Sequence, residues 1–194
     1  PADEYITHHV TLGGVETALI SKPGVFAWDR LDAGTAALVS AMEVGSQDRV
    51  LDLGCGTGLA GLAAARRAFE GRVVLVDADV RAVESARRTL EANGIANGEV
   101  LLSDCGSAVL DRRFDVVIAN PPFHQGVGVD YEVACQFVRD AARVLRRGGR
   151  LFLVANRFLR YTDLVREAFG NVATAYDDAR YHVLTAAAQK SSSG

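Results

Sequence analysis

Short apolar segments alternate regularly with amphipathic helices between residues 50 and 169, and this alternation constrains the fold more than any other feature. Predicted strands occupy residues 50–53, 73–77, 100–102, 114–119 and 151–155. Predicted helices occupy residues 59–69, 80–92, 131–147 and 163–169. Strands that are apolar on both faces and joined by helices form parallel sheets covered by helices, and right-handed crossovers make such a sheet doubly wound.

Both ends of the chain depart from this alternation. Residues 5–10 and 15–21 are β-prone around a Gly-Gly pair, which predicts a hairpin, and residues 31–42 have helical periodicity. Residues 172–176 and 181–185 predict two strands that are too close in sequence to be parallel. The sequence therefore predicts a Rossmann-like α/β fold, with a seven-stranded, mostly parallel sheet, an antiparallel C-terminal hairpin and a short N-terminal β-hairpin extension.

The composition is that of one globular domain, because the 194 residues are 49% hydrophobic and 23% charged. We expect a single domain over residues 1–190, with residues 1–30 as an N-terminal extension and residues 191–194 as a disordered tail. No apolar run approaches the roughly 18 residues of a membrane span, and we expect no secretion signal. We therefore expect a cytoplasmic protein with no membrane contact.

The cysteines and the net charge exclude some kinds of site. Cys55, Cys105 and Cys135 are far apart, which excludes a disulfide framework and a closely spaced zinc motif, and no metal is expected. The net charge of −3 is not that of a strongly basic nucleic-acid binder. Residues 139–180 nevertheless contain nine Arg against five Asp or Glu, which form either a phosphate-binding face or a solvated helix surface.

A glycine cluster, DLGCGTGLAG over residues 52–61, lies between the first strand and helix of the alternation. Glycines there let the backbone turn tightly and approach a ligand, and the helix N-terminus presents unpaired N–H groups. Gly56, Gly58 and Gly61 match the dinucleotide fingerprint. Asp77 ends the next strand, where a carboxylate can accept both ribose hydroxyls of an adenosine. These features fit a nicotinamide dinucleotide and S-adenosylmethionine equally well.

Asp52 favours S-adenosylmethionine over the dinucleotide. This donor has no phosphate but carries a cationic ammonium and a cationic sulfonium, so a carboxylate at the strand end suits it electrostatically. A dinucleotide enzyme has no evident need for a carboxylate beside its pyrophosphate. Asp104 follows the third strand, where it either accepts a hydrogen bond from an adenine amino group or caps a turn.

A second motif, Asn120-Pro121-Pro122-Phe123, follows the fourth strand, and ligands of doubly wound sheets bind beyond the carboxyl ends of strands. Asn120 offers a side-chain carbonyl, and the prolines fix the loop that holds it. Phe123 offers a flat ring for stacking. Acceptors around a planar NH2 group absorb the positive charge that grows on its nitrogen, so no strong general base is required. His124 is the next residue, and it either has only a structural role in the loop or takes part in proton transfer.

These motifs together resemble class I S-adenosylmethionine-dependent amino-methyltransferases of the methyltransferase small-domain family. Three segments sharpen the resemblance to the ribosomal RNA small-subunit guanine-N2-methyltransferases within that family. The first segment, residues 23–34, contains PGVF, Asp29 and LDAG. The second is NPPFHQG over residues 120–126, and the third is VANRFLRY over residues 154–161. The resemblance runs from about residue 10 to residue 187. The NPPF motif alone is shared with adenine-N6 and glutamine-amide methyltransferases.

The resemblance implies S-adenosyl-L-methionine as the cofactor and three groups of site residues. The implied cofactor-binding residues are Asp52, Gly54, Cys55, Gly56, Gly58, Asp77, Ala78, Asp104, Cys105 and Asn120. The implied catalytic residues are Asn120, Pro121 and Phe123. The implied substrate-binding residues are Phe26, Pro122, Phe123, His124 and Asn156.

The resemblance also implies ribosomal RNA as the partner. Bacterial members carry an additional N-terminal domain that helps hold RNA, so we expect this chain to need a homodimer, an accessory subunit or a smaller acceptor, or to be an excised catalytic half. The competing hypotheses are methylation of adenine N6, of a protein glutamine or of a small-molecule amine. A nicotinamide oxidoreductase and a non-catalytic RNA-binding module are the alternatives from other classes.

Overall fold

The computed structural model describes residues 4–122 and 129–189. Its strands are β1 (Ile6–Leu12), β2 (Val15–Ser21), β3 (Arg49–Leu53), β4 (Arg72–Asp77), β5 (Gly98–Leu102), β6 (Phe114–Ala119), β7 (Leu145–Asn156), β8 (Ala173–Asp177) and β9 (Tyr181–Ala187). Its α-helices are α1 (Ala33–Ala41), α2 (Leu59–Arg67), α3 (Val80–Ala92), α4 (Val129–Val144) and α5 (Tyr161–Phe169). A short 3-10 turn covers Ser107–Val109, which the sequence pattern did not predict.

The predicted seven-stranded sheet is confirmed, with the order β5-β4-β3-β6-β7-β9-β8. Strands β3 to β7 are mutually parallel, and β9 is antiparallel to both of its neighbours, β7 and β8. The chain runs outward from β3 through β4 to β5 and then returns to the other side of β3 as β6. This reversal creates a crevice between β3 and β6, where doubly wound sheets bind ligands.

Both faces of the central strands are buried, as their uninterrupted apolar sequences predict. Helices α1, α2 and α3 pack on one face, where alternate strand residues such as Val50 and Leu75 form the core. Helices α4 and α5 pack on the other face around Leu51, Leu53 and Val76. Within the described ranges, no helix is long and apolar enough to cross a membrane.

The N-terminal hairpin of β1 and β2 forms a separate two-stranded sheet that is fixed to α3 by polar contacts. The Asn93 side chain accepts a hydrogen bond from the Ala18 N–H at 3.1 Å, and Thr89 accepts one from the Ile20 N–H at 3.1 Å. The hydroxyls of Ser21 and Ser85 are 3.0 Å apart in a buried contact. The hairpin predicted from the Gly-Gly pair is therefore confirmed, and α3 holds it in place.

The predicted boundary between α4 and β7 is wrong, since the strand expected over residues 151–155 spans Leu145–Asn156. The helix expected over residues 131–147 ends at Val144, and Leu145 already pairs with Phe114 in the sheet. The pairing between β6 and β7 then shifts, so that Val116 lies opposite Arg150. This bulge lets the chain turn directly from helix into strand before the glycines at 148 and 149, which looked like the helix stop.

Candidate functional site

The two motifs singled out in the sequence leave the sheet side by side. Leu53 at the end of β3 pairs with Ala119 at the end of β6, so the glycine loop and Asn120 emerge at the same level of the crevice. A cavity of about 280 Å³ opens there, close to the lower end of ligand pockets, which span roughly 300–1,000 Å³. A smaller cavity of about 30 Å³ adjoins it and shares Gly54, Gly56 and Asn120 in its wall.

Most of the predicted site residues line these cavities. The larger cavity is lined by Phe26, Gly54, Gly56, Asp77, Ala78, Asp104, Cys105, Asn120, Pro121 and Pro122. The smaller cavity adds Asp52 and Cys55. Neither lining includes Gly58 or Asn156. The predictions for Phe123 and His124 lie outside the described residues.

Sequence reasoning missed four residues that also line the larger cavity, namely Val76, Ser103, Val133 and Phe137. Val133 and Phe137 are one turn apart on α4, and in the sequence they are indistinguishable from ordinary core positions of an amphipathic helix. Only the packing of α4 over the crevice shows that this apolar stripe also forms a cavity wall.

The glycine loop is held by backbone hydrogen bonds. The N–H groups of Gly54 and Cys55 both donate to the Val76 carbonyl at 2.9 Å. Gly54 has a φ of +69°, and a Cβ there would lie 2.8 Å from the Phe137 ring. This position therefore requires glycine for two reasons, its backbone conformation and the lack of space for a side chain. Gly56 also has a positive φ, but a Cβ there would meet nothing within 4 Å. Gly56 therefore leaves open room where the two cavities meet.

Asp77 links the glycine loop to the start of α3. One oxygen of its carboxylate accepts a hydrogen bond from the Gly56 N–H at 2.9 Å, and the other accepts one from the Asp79 N–H at 2.9 Å. Each carboxylate oxygen can accept a second hydrogen bond, so the group retains capacity for ligand hydroxyls. The carboxylate is thus fixed in orientation at the cavity wall.

Asp52 is almost completely buried, and its Oδ2 has no hydrogen-bond partner in the part of the chain that the structure describes. Burial raises the pKa of this carboxyl to about 7; the Gly61 N–H partly offsets the shift, and the nearby Asp77 adds to it. A buried acceptor without a partner is energetically costly, so the site favours a cationic or hydrogen-donating ligand beside Asp52.

The thiols at the site are not poised as nucleophiles. Burial, with Asp104 and Asp140 nearby, raises the pKa of Cys105 to about 11. Burial and the charges of Asp52 and Asp77 raise the pKa of Cys55 well above its usual value. Both thiols therefore stay protonated near neutral pH, and their contribution is to the shape of the wall.

Asn120 is anchored by two residues from the N-terminal end of α1. Its Nδ2 donates to Asp32 Oδ2 at 2.9 Å and to Thr35 Oγ1 at 3.1 Å. Sequence reasoning did not assign this role to Asp32 or Thr35, which are separated from Asn120 by more than 80 residues. The only local signal is an Asp before a helix, which predicts an N-cap and nothing more.

The remaining predicted residues lie at the margins of the site. Phe26 is exposed at the cavity mouth. Gly58 begins α2, where its positive φ and the close approach of Ala86 exclude a side chain. Asn156 ends β7 and accepts a hydrogen bond from the N–H of Phe158, whose side chain is 90% exposed.

The arginine excess over residues 139–180 does not form one face at the site. Arg146 and Arg150 lie near the start of β7, at the opposite edge of the sheet, and pair with Asp115 and Glu43. Arg157, at the carboxyl edge, pairs with Asp177 at 3.3 Å. Over residues 4–122 and 129–189, no three His, Cys, Asp or Glu side chains are grouped to hold a metal ion.

Comparisons with known proteins agree with this geometry. The model of the methyltransferase small domain family matches residues 16–185. The chain is 44% identical over 165 residues to the ribosomal RNA small subunit methyltransferase C of Hahella chejuensis, covering 85% of this chain and 48% of that protein. It is 39% identical over 179 residues to the protein of that name from Pseudomonas aeruginosa, covering 92% and 53%.

Among solved structures, the T. thermophilus 16S rRNA N2 G1207 methyltransferase RsmC, in complex with AdoMet and guanosine, superposes with a TM-score of 0.88 at 36% identity. The match covers 96% of this chain and 51% of that one. The protein described here therefore belongs to the methyltransferase small domain family and has its Rossmann-like fold. The chain spans about half the length of the curated relatives it matches.

Proposed function

We propose that this chain is a catalytic domain that transfers a methyl group from S-adenosyl-L-methionine to the exocyclic N2 amine of guanine in ribosomal RNA. The observation that carries this proposal is the meeting of the glycine loop and Asn120 around one cavity at the crevice between β3 and β6. The similarity to ribosomal RNA small subunit methyltransferases C supports the choice of acceptor. We propose one domain over residues 1–190 that works in the cytoplasm.

The residues around the glycine loop fit the proposed donor. The open space at Gly56 admits a ligand close to the backbone, and Asp77 is placed to accept ribose hydroxyls. The carboxyl group of Asp52, which lines the smaller cavity, suits the ammonium of a methionine group. A buried carboxylate is a poor neighbour for a pyrophosphate, which favours this donor over a nicotinamide dinucleotide. Asp104 and Cys105 would close the adenine end of the cavity.

The chain's own contribution to the reaction is positioning and electrostatic stabilisation. When bound, the donor supplies an electrophilic methyl group on a sulfonium. Asn120 Oδ1 and the Pro121 carbonyl would accept the two amine hydrogens and align the nitrogen with that methyl group. Both oxygens stabilise the positive charge that grows on nitrogen, and the proton then passes to water. Phe123 is proposed to stack on the base, with Pro122 and His124 beside it.

Exposed aromatic side chains at the same edge of the sheet support a nucleic-acid acceptor. Strand geometry places the Cα of Asn156 roughly 8 Å from that of Asn120, given a spacing of about 4.8 Å and a rise of about 3.3 Å per residue. Phe158 follows Asn156 and is almost fully exposed, and Phe26 is exposed at the mouth. Such rings stack on unpaired bases. We propose that a homodimer or an accessory subunit completes the RNA-binding surface.

The test is incubation with methyl-labelled S-adenosylmethionine and unmodified ribosomal RNA, small subunits or total cell protein, followed by identification of the labelled product. N2-methylguanosine is the expected product. If the product is N6-methyladenosine, labelled glutamine or a labelled small molecule, the proposed acceptor is wrong and the proposed donor is retained. Binding of NAD without binding of S-adenosylhomocysteine would overturn the donor as well.

A substitution of Asn120 tests the proposed role of its carbonyl. We expect Asn120→Ala to retain affinity for S-adenosylhomocysteine but to lower kcat by about 10²- to 10³-fold, which is typical for the loss of one contact to a developing charge. Titration calorimetry and single-turnover kinetics measure the two quantities separately. Turnover within a few-fold of the parent protein would contradict the assignment.

A further inference from the structure

The side-chain amide of Asn120 has both of its hydrogens occupied by residues outside its own loop. Nδ2 donates to Asp32 Oδ2 at 2.9 Å and to Thr35 Oγ1 at 3.1 Å. Asp32 is itself fixed, because its two oxygens accept hydrogen bonds from the N–H groups of Gly34 at 3.2 Å and Thr35 at 2.8 Å. The first turn of α1 therefore serves as a rigid clamp for the Asn120 amide.

This clamp determines which end of the amide faces it. A carboxylate only accepts hydrogen bonds, so the Asn120 nitrogen must point towards Asp32, and its oxygen must point away. Space at the clamp is also limited, since a Cβ on Gly34 would lie 3.3 Å from Asp32 Oδ2 and 3.4 Å from both polar atoms of the Asn120 amide. Within residues 4–122 and 129–189, no donor reaches Asn120 Oδ1, so that oxygen is left for a ligand.

We propose that Asp32 and Thr35 are positioning residues that hold Asn120 with its carbonyl towards the acceptor and thereby select an amine. The inference rests on the proposed function and explains its specificity. Guanine presents a hydrogen-bond donor at N2 and an acceptor at O6. With Oδ1 facing the ligand the site accepts N–H groups, whereas a flipped amide would present Nδ2 and favour a carbonyl oxygen.

The clamp also makes the N-terminal segment part of the site. Asp32 and Thr35 lie on the far side of the crevice from α4, and α1 packs against the sheet through Leu38 and Ala37. Asp32 and Thr35 also line the smaller cavity, together with Asp52. Movement of the first turn of α1 would change the orientation of Asn120 while leaving Asp77 and the glycine loop in place. This predicts that the clamp affects kcat more strongly than donor affinity.

Two substitutions remove the clamp while preserving the helix. Asp32→Ser keeps a good N-cap but is too short to reach Asn120. Thr35→Val keeps the shape of the side chain and removes its acceptor, and Thr35→Ser is the matched control that restores the hydroxyl. We expect Asp32→Ser to lower kcat at least about 10-fold and Thr35→Val to lower it less, since each contact in a hydrogen-bonded pair contributes roughly a factor of ten. Thr35→Ser should restore most of the activity, and S-adenosylhomocysteine affinity should change far less than kcat in all three variants.

A double-mutant cycle distinguishes positioning from a general structural role. If Asp32 acts through Asn120, Asp32→Ser should change kcat by less than about two-fold in the Asn120→Ala background, because coupled residues are not additive. Full additivity of the two effects, or a loss of donor affinity in Asp32→Ser as large as its loss of kcat, would overturn the proposal.

A spectroscopic readout tests the clamp independently of catalysis. In ¹⁵N-labelled protein, we expect two resolved Asn120 side-chain amide protons that exchange slowly with solvent, and fast exchange in Asp32→Ser. If the wild-type protein shows slow exchange but methylates no guanine, the proposed function fails and the clamp stands. Rapid exchange in the wild-type protein would refute the clamp itself.

Discussion

The raised pKa of Asp52 gives the sharpest quantitative prediction. A shift from the ordinary value of 3.8 to about 7 means that the folded protein holds a proton that the unfolded chain releases. The contribution of Asp52 to the free energy of unfolding is therefore fully present below pH 3.8 and is lost as the pH rises through 7. At 1.36 kcal/mol per pKa unit, the full loss is about 4 kcal/mol. About 2 kcal/mol of it falls between pH 5.5 and 8.

Substitution of Asp52 by Asn removes the titration and leaves the shape of the side chain. We expect the free energy of unfolding of the parent protein, minus that of Asp52→Asn, to fall by about 2 kcal/mol between pH 5.5 and 8. Any pH-independent cost of the new amide cancels in this comparison. Urea unfolding at both pH values measures it, and the corresponding change in the Tm difference is about 4–8 °C for a domain of this size.

The same residue predicts a proton linked to donor binding. A cationic ligand beside Asp52 favours the carboxylate, so binding at pH 6 should release about one proton, measured by calorimetry in buffers of different ionisation enthalpy. Asp52→Asn should release none. A stability difference that is constant or increases with pH would refute the reasoning on Asp52, as would equal proton release by both proteins.

Three further substitutions test other parts of the site. Asp77→Ala should weaken S-adenosylhomocysteine binding by at least about ten-fold in calorimetry, because hydrogen bonds to charged groups contribute roughly 1.5–3 kcal/mol; unchanged affinity would move the ribose contact elsewhere. Gly61→Ala should lower the free energy of unfolding by about 1–3 kcal/mol in urea, because its Cβ would meet the Leu75 side chain; no loss would show that Leu75 moves freely. Phe158→Ala should weaken binding of single-stranded RNA by about 5- to 100-fold in fluorescence anisotropy. The control is Phe69→Ala, because Phe69 is 69% exposed but lies at the opposite edge of the sheet, and this variant should bind RNA normally. Equal effects of the two substitutions would exclude stacking on Phe158.

The fold was predictable because its information is local. Apolar runs such as 73–77 and 114–119 have the length and composition of buried strands, and both match the observed strands within one residue. The end of α4 was not predictable, because it depends on a shift in the pairing of β6 with β7. A glycine pair in the sequence does not reveal whether the chain before it is already part of the sheet.

Position in the fold predicted the site residues that follow strands, whereas Phe26 was predicted only from the family resemblance. Asp77, Asp104 and Asn120 were found because the carboxyl ends of parallel strands share one edge of the sheet. The contact of Asp32 with Asn120 and the cavity position of Phe137 were missed because both depend on how separate helices pack over that edge. Their local patterns, a helix cap and an apolar helix position, are satisfied by structural roles alone.

The position of β9 between β7 and β8 affects how the domain folds while it is being synthesised. Strands β4 to β7 can each pair with an earlier strand as the chain leaves the ribosome, whereas β8 is hydrogen-bonded to β9 alone in the sheet. Until residues 181–187 emerge, β7 has a long unpaired edge of the kind that promotes aggregation. A nascent chain arrested before Tyr181 should therefore depend on chaperones, and one arrested well beyond the last strand should not.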